Sequence, residues 1–259
     1  MFREQLTRGV ADSGGRLCVG LDPHPELVPK RFGRGAAGAG RFLQWAIEET
    51  RSHACAFKPN AAFFEAMGNR GLETLCDAVA CAHAAERPVI LDAKRGDIAS
   101  TAAAYARAAA DVIGADAITV VPYMGEEAVR PFLDRGLFTF VLTLPSNRSA
   151  AEIACHGEPA LCVRVATMAA RLATEYPDQV GLVVGATQPS WIPAVHAAGP
   201  DLPWLVPGVG AQGGDVRAFL GAAGGHEPVI VNASRSVLGS PDPRAAAAEL
   251  KAQIGGGSR

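Results

Sequence analysis

Ile90-Leu91-Asp92-Ala93-Lys94-Arg95-Gly96-Asp97-Ile98 is the stretch on which the reading of the chain turns. Val89, Ile90 and Leu91, bounded upstream by Pro88, read as the apolar run of a buried strand. The strand then delivers three charges in close succession, Asp92, Lys94 and Asp97. Residues two apart in an extended segment share a face, so Asp92 and Lys94 point the same way. Desolvating charges at the end of a buried strand costs on the order of several kcal/mol per ion. The pair is therefore either a self-neutralising structural element or part of a site, and the stretch alone leaves both open.

Outward from it, the same alternation repeats. Apolar runs predict strands over 17–21, 54–57, 89–91, 117–121, 138–143, 180–184, 204–206 and 229–231. Between and around them, amphipathic or alanine-rich segments predict helices over 2–13, 39–53, 61–85 with a break near 68–71, 100–113, 126–135, 158–175, 189–197, 214–222 and 242–254. Continuous apolar strands are expected where both faces of a parallel sheet are covered. Eight strand–helix units in 259 residues fit a single α/β domain, a (β/α)8 TIM barrel over 1–259. A doubly wound sheet is the main competitor. It would place a glycine-rich fingerprint after the first strand, where this chain has Asp22-Pro23-His24-Pro25.

Composition narrows the function. Apolar residues make up 49% of the chain and the formal net charge is −2, so a large core is available and no basic tract suits nucleic acid or an anionic membrane. The first ten residues carry Arg3 and Glu4 and lack a signal-peptide core, and no apolar run approaches a membrane span. Six dispersed cysteines without a CxxC pair fit free thiols, and six scattered histidines form no metal-binding pattern. The expectation is a soluble cytoplasmic protein that needs no metal.

In such a barrel the chemistry sits at the carboxyl ends of the strands. Those ends here carry Asp22, Lys58 with Asn60, Asp92 with Lys94, Ser146 with Asn147, Gln212, and Arg235. Loops seven and eight, Gly208-Val209-Gly210-Ala211-Gln212-Gly213-Gly214 and Asn232-Ala233-Ser234-Arg235-Ser236, offer bare amides, hydroxyls and a guanidinium fork. That combination suits a phosphate. Two lysines flanked by carboxylates would stay protonated, which disfavours Schiff-base chemistry and suits proton donation to a strongly basic carbon. Array and phosphate handle together point to decarboxylation followed by protonation.

Asp92-x-Lys94-x-x-Asp97-Ile98 with Thr101, Lys58-x-Asn60, Asp22, Pro207-Gly-Val-Gly-Ala-Gln212 and Ala233-Ser234-Arg235 together make the chain similar to the orotidine 5′-phosphate decarboxylases, in the bacterial subgroup with longer loops. The resemblance implies a barrel of the ribulose-phosphate-binding type and conversion of orotidine 5′-phosphate to UMP and CO2, with no cofactor. It implies Lys94 as the proton donor to C6, Asp92 pressing on the departing carboxylate, and Lys58 bridging it to the ribose. Asp97, with Ile98 and Thr101, would reach into the neighbouring site of a homodimer. Asp22 and Asn60 would bind ribose hydroxyls, Ser146 the pyrimidine edge, and Gln212 base and phosphate. Arg235 would clamp the phosphate, and Pro207 and Ser234 would complete the substrate-binding set.

One departure is visible: the fifth loop of the family reads Thr-Ser-Asn, whereas Leu144-Pro145 precedes Ser146-Asn147 here. Asp97 could alternatively cap the helix expected from about residue 100. Two other functions remain alternatives. One is a Mg2+-dependent sugar-phosphate enzyme of the same superfamily, against which Lys58 stands because those relatives carry an acid on strand two. The other is a non-catalytic phosphate-ligand barrel.

Overall fold

The computed structural model describes residues 1–208, 216–226 and 228–255. Eight parallel strands run in the order β2-β1-β8-β7-β6-β5-β4-β3. They are β1 (Leu17–Leu21), β2 (Ala56–Pro59), β3 (Ile90–Arg95), β4 (Ala117–Val120), β5 (Phe138–Leu144), β6 (Val180–Val184), β7 (Trp204–Val206) and β8 (Val229–Ala233). Bridges Phe57–Val89 and Asn60–Asp92 bring β2 beside β3 and close the ring. That seam is thin because Pro59 and Pro88 have no N–H to give; the Pro88 carbonyl instead accepts the Phe57 N–H at 3.0 Å.

Strand parity divides the core in two. Val19, Phe57, Leu91, Ile118, Val141, Leu182, Val206 and Val231 face outward into the layer shared with the helices. Cys18, Ala56, Ile90, Ala117, Phe140, Val183, Leu205 and Ile230 face inward and fill the lower barrel. The Phe2–Ser13 helix stoppers its N-terminal end, with the Phe2 ring 4.7 Å from Phe138 and 5.9 Å from Phe140. Gly181 makes room for those rings, since a Cβ there would lie 2.9 Å from both. One pleat above this layer the inward positions become Lys58, Asp92, Thr119, Leu142, Pro207 and Asn232. The barrel interior thus turns from apolar to polar as it nears its C-terminal mouth.

The expected fold stands, with changes at element ends. Strand three continues to Arg95, so Asp92 and Lys94 lie within it rather than beyond its end. The second helix begins at Gly35, earlier than the expected 39, because the small glycines let it press against the preceding turn: a Cβ on Gly38 would meet the Gly33 backbone at 2.6 Å. The break near 68–71 separates helices Ala61–Glu65 and Asn69–Ala84. Short helices at Ala151–Ala154 and Arg235–Leu238 lie in segments expected to be loops. The six cysteines are free thiols, and no helix of the described residues is long and apolar enough to cross a membrane.

Candidate active site

A cavity of about 700 Å3 opens at the C-terminal mouth, within the range of small-molecule sites. Asp22, Lys58, Asn60, Asp92, Lys94, Ser146, Pro207, Ser234 and Arg235 all line it. Among the described residues its charged lining comprises four cationic side chains (Lys58, Lys94, Arg148, Arg235) against two carboxylates (Asp22, Asp92), a balance that favours an anionic ligand.

Asp92 is the centre of the charged array. Lys58 Nζ donates to its Oδ2 at 2.7 Å, and Lys94 Nζ donates to its Oδ1 at 2.6 Å. The Thr119 hydroxyl donates to the same Oδ1 at 2.9 Å. Burial by itself would raise the Asp92 pKa, but the two ammoniums overcome it and hold the carboxyl well below the usual carboxylate range. For Lys58, burial pulls downward, and the carboxylates of Asp92 and Asp22 outweigh it, so the amine stays protonated beyond its ordinary range. The two lysines differ in access. The Lys58 side chain is 4% exposed and sealed into the wall, whereas that of Lys94 is 46% exposed and reaches into the opening.

Local backbone sets this geometry. Lys94 has φ of 44°, a left-handed conformation that costs a non-glycine residue about 1–3 kcal/mol and persists only where the surroundings enforce it. Asn60, across the β2–β3 seam from Asp92, accepts the Ala62 N–H on its Oδ1 at 3.1 Å and so starts the next helix. At the ends of the neighbouring strands β1 and β8, Asp22 Oδ1, Asn232 Oδ1 and Ser234 Oγ are buried without a hydrogen-bond partner among the described residues. An unmet buried polar atom costs about 1–3 kcal/mol, so these are atoms a ligand would satisfy. Two acceptors suit hydroxyl donors, and the serine hydroxyl suits a phosphate oxygen. Gly20 is required here, because a Cβ on it would lie 2.6 Å from Ser234 Cβ.

The remaining expected residues fall elsewhere. Within one chain Asp97, Ile98 and Thr101 do not line the cavity. The Asp97 carboxylate accepts the Ile98 N–H at 2.8 Å, and the Ala99–Arg107 helix has Ile98 at its N-cap with no side-chain cap, so the capping role is not the one Asp97 plays. Gln212 lies outside the described residues. Sequence reasoning did not single out Thr119 or the cavity-lining Arg148 as site residues. Thr119 carried a signal, as the one polar residue at inward parity in β4, two beyond Ala117.

The Lys58–Asp92 pair yields a stability prediction. Removing one partner strands a buried charge, so Asp92→Ala is expected to cost about 3–5 kcal/mol in urea unfolding at fixed protein concentration. The depressed Asp92 pKa adds stability above its unfolded value of about 3.9, lost as pH falls; the elevated Lys58 pKa adds stability below about 10.4, lost as pH rises. The stability difference between the wild type and Lys58→Met/Asp92→Leu should therefore be flat between about pH 5 and 9 and change at both ends. A pH-independent difference across the full range would overturn the assignment.

Fold and cavity together define a TIM-barrel enzyme class: polar mouth, buried lysine–carboxylate array, and a wall suited to a phosphorylated ligand. Residues 15–250 match the orotidine 5′-phosphate decarboxylase / HUMPS family, and the chain belongs to that family. It is 45% identical over 243 residues to the orotidine 5′-phosphate decarboxylase of Herpetosiphon aurantiacus, covering 92% of this chain and 89% of that one. It is 41% identical over 244 residues to that of Halobacterium salinarum, with coverage of 92% and 89%. The solved structure of Leishmania donovani OMP decarboxylase superposes with a TM-score of 0.86 at 38% identity, covering 98% of each chain.

Proposed function

We propose that the chain decarboxylates orotidine 5′-phosphate to UMP and CO2, with Lys94 as the proton donor. The observation that carries this reading is the Lys58–Asp92–Lys94 chain, with Lys58 buried in it and Lys94 open to the cavity. Arg235 and Ser234 hold the phosphate at one wall, and Asp22 and Asn60 take ribose hydroxyls. The pyrimidine then lies against the β5 side beside Ser146, with its carboxylate directed at Asp92. Asp92 stays ionised between its lysines, so it presents negative charge to the arriving carboxylate, and departure of neutral CO2 relieves the repulsion. When the C6–carboxyl bond breaks, its electron pair remains on C6. The Lys94 ammonium stabilises that charge and delivers its proton to C6, and solvent reprotonates the amine.

Asp97, Ile98 and Thr101 act across a homodimer, each chain completing the other's site. Their absence from the chain's own cavity supports this, as does the exposure of Ile98. The sugar-phosphate alternative needs an acid where Lys58 stands, and the buried Lys58–Asp92 contact favours the decarboxylase.

The test is direct. Purified protein is expected to consume the orotate absorbance of orotidine 5′-phosphate and to release UMP, at the same rate with and without a chelator. No turnover would sink the reading, and turnover restored only by Mg2+ would transfer it to the sugar-phosphate branch.

A further inference from the structure

The register of β3 on β4 is interrupted where the charged array sits. Leu91 pairs with Ile118, and the next pair is Arg95 with Val120. Asp92, Ala93 and Lys94 thus stand opposite the single residue Thr119, a bulge of three against one. Bulges of this kind re-aim side chains, but they leave backbone groups without ladder partners. Here the Thr119 hydroxyl fills the gap: it accepts the Lys94 N–H at 3.0 Å. The same oxygen donates its proton to Asp92 Oδ1 at 2.9 Å. Thr119 is 1% exposed, so water does not compete for either bond. One hydroxyl therefore fixes both the left-handed backbone that carries Lys94 and the carboxylate face that Lys94 Nζ contacts at 2.6 Å.

We propose that Thr119 is a positioning residue for proton transfer, its hydroxyl locking the β3 bulge so that the Lys94 ammonium and the Asp92 carboxylate meet the reacting carbon in register. This rests on the decarboxylase reading above. A hydroxyl is needed because the position must accept from an amide and donate to a carboxylate at once, which valine of the same shape cannot do. Ligand-binding groups on β1, β2 and β8 do not depend on the bulge, so substrate affinity and turnover should separate.

Thr119→Val is expected to lower kcat about 100-fold, the scale of a displacement near 1 Å at reacting groups, with KM and UMP affinity held within about threefold. Thr119→Ser keeps the hydroxyl and should keep kcat within about threefold, while Thr119→Ala, no larger than the native residue, should fall with the valine variant. The serine–alanine comparison decides the matter if valine prevents folding. Equal loss in serine and alanine would show that the methyl, not the hydroxyl, matters and would overturn the inference. So would wild-type kcat in Thr119→Val, or a fall in kcat matched by an equal loss of UMP affinity. A wild type without turnover overturns the decarboxylase reading and this inference with it; a turning-over wild type beside an unaffected variant overturns this inference alone.

Discussion

Lys94→Ala is expected to abolish turnover of orotidine 5′-phosphate, lowering kcat/KM by at least about 10^4-fold, while the protein stays folded and still binds UMP. The magnitude follows from two losses at one atom. General-acid transfer typically contributes about 10^2–10^4, and a preorganised charge facing a developing anion adds about 10^2–10^3. Stability should hardly move. The Lys94 side chain is half exposed, and Asp92 retains its contacts with Lys58 at 2.7 Å and Thr119 at 2.9 Å. Solvent screens the pair at its lysine end, and with two donors left on Asp92 the loss should be about 1 kcal/mol or less. UMP lacks the carboxylate that Lys94 and Asp92 address, so its affinity, read by calorimetry, should stay within about threefold of wild type. A variant that loses UMP binding in parallel with turnover would make Lys94 a ligand-anchoring residue and remove its role as proton donor.

The separation between Lys94 and Lys58 shows what was legible in the sequence and what was not. Residue types sufficed to put both lysines and Asp92 at the C-terminal mouth, because a parallel barrel brings every strand's carboxyl end to one side. Parity sufficed to aim Asp92 and Lys94 at one face. The sequence could not show that Lys58 is sealed and Lys94 open, since access depends on the neighbours that each strand acquires in the closed ring. Nor could it show the bulge, which exists only in the register of β3 against β4 and makes a threonine in an apolar run part of the charged array. The glycine-rich segment before the second helix reads as a connection by propensity, yet tertiary contact with Gly33 draws it into the helix. Arg148 was hidden for the opposite reason. It stands in a polar loop, where a cation is ordinary, and only the curl of Arg148–Ala150 after β5 turns it toward the cavity.

Hybrid dimers built from Lys94→Ala and Asp97→Ala chains are expected to recover about half the wild-type turnover per dimer, although each variant alone is inactive. In a site that takes Lys94 from one chain and Asp97 from its partner, a hybrid holds one site with both residues intact and one with both removed. Among the described residues of its own chain, Asp97 accepts only the neighbouring Ile98 N–H and stays off the cavity wall. Ile98 beside it is 48% exposed, and Tyr123 and Met124, in the turn after β4, are 84% and 53% exposed, large apolar side chains of the kind that mark an interaction surface. The Ala99–Arg107 helix packs against the turn that follows Tyr123 and Met124, so these residues belong to one side of the mouth. Two copies meeting on that side would cover the patch and carry each Asp97 toward the other's Lys94. Co-expression with two different tags and sequential purification isolates the hybrid. If isolated hybrids are as inactive as the parents, Asp97 serves its own chain's site, and if no doubly tagged species forms, the shared-site arrangement is wrong at the level of assembly.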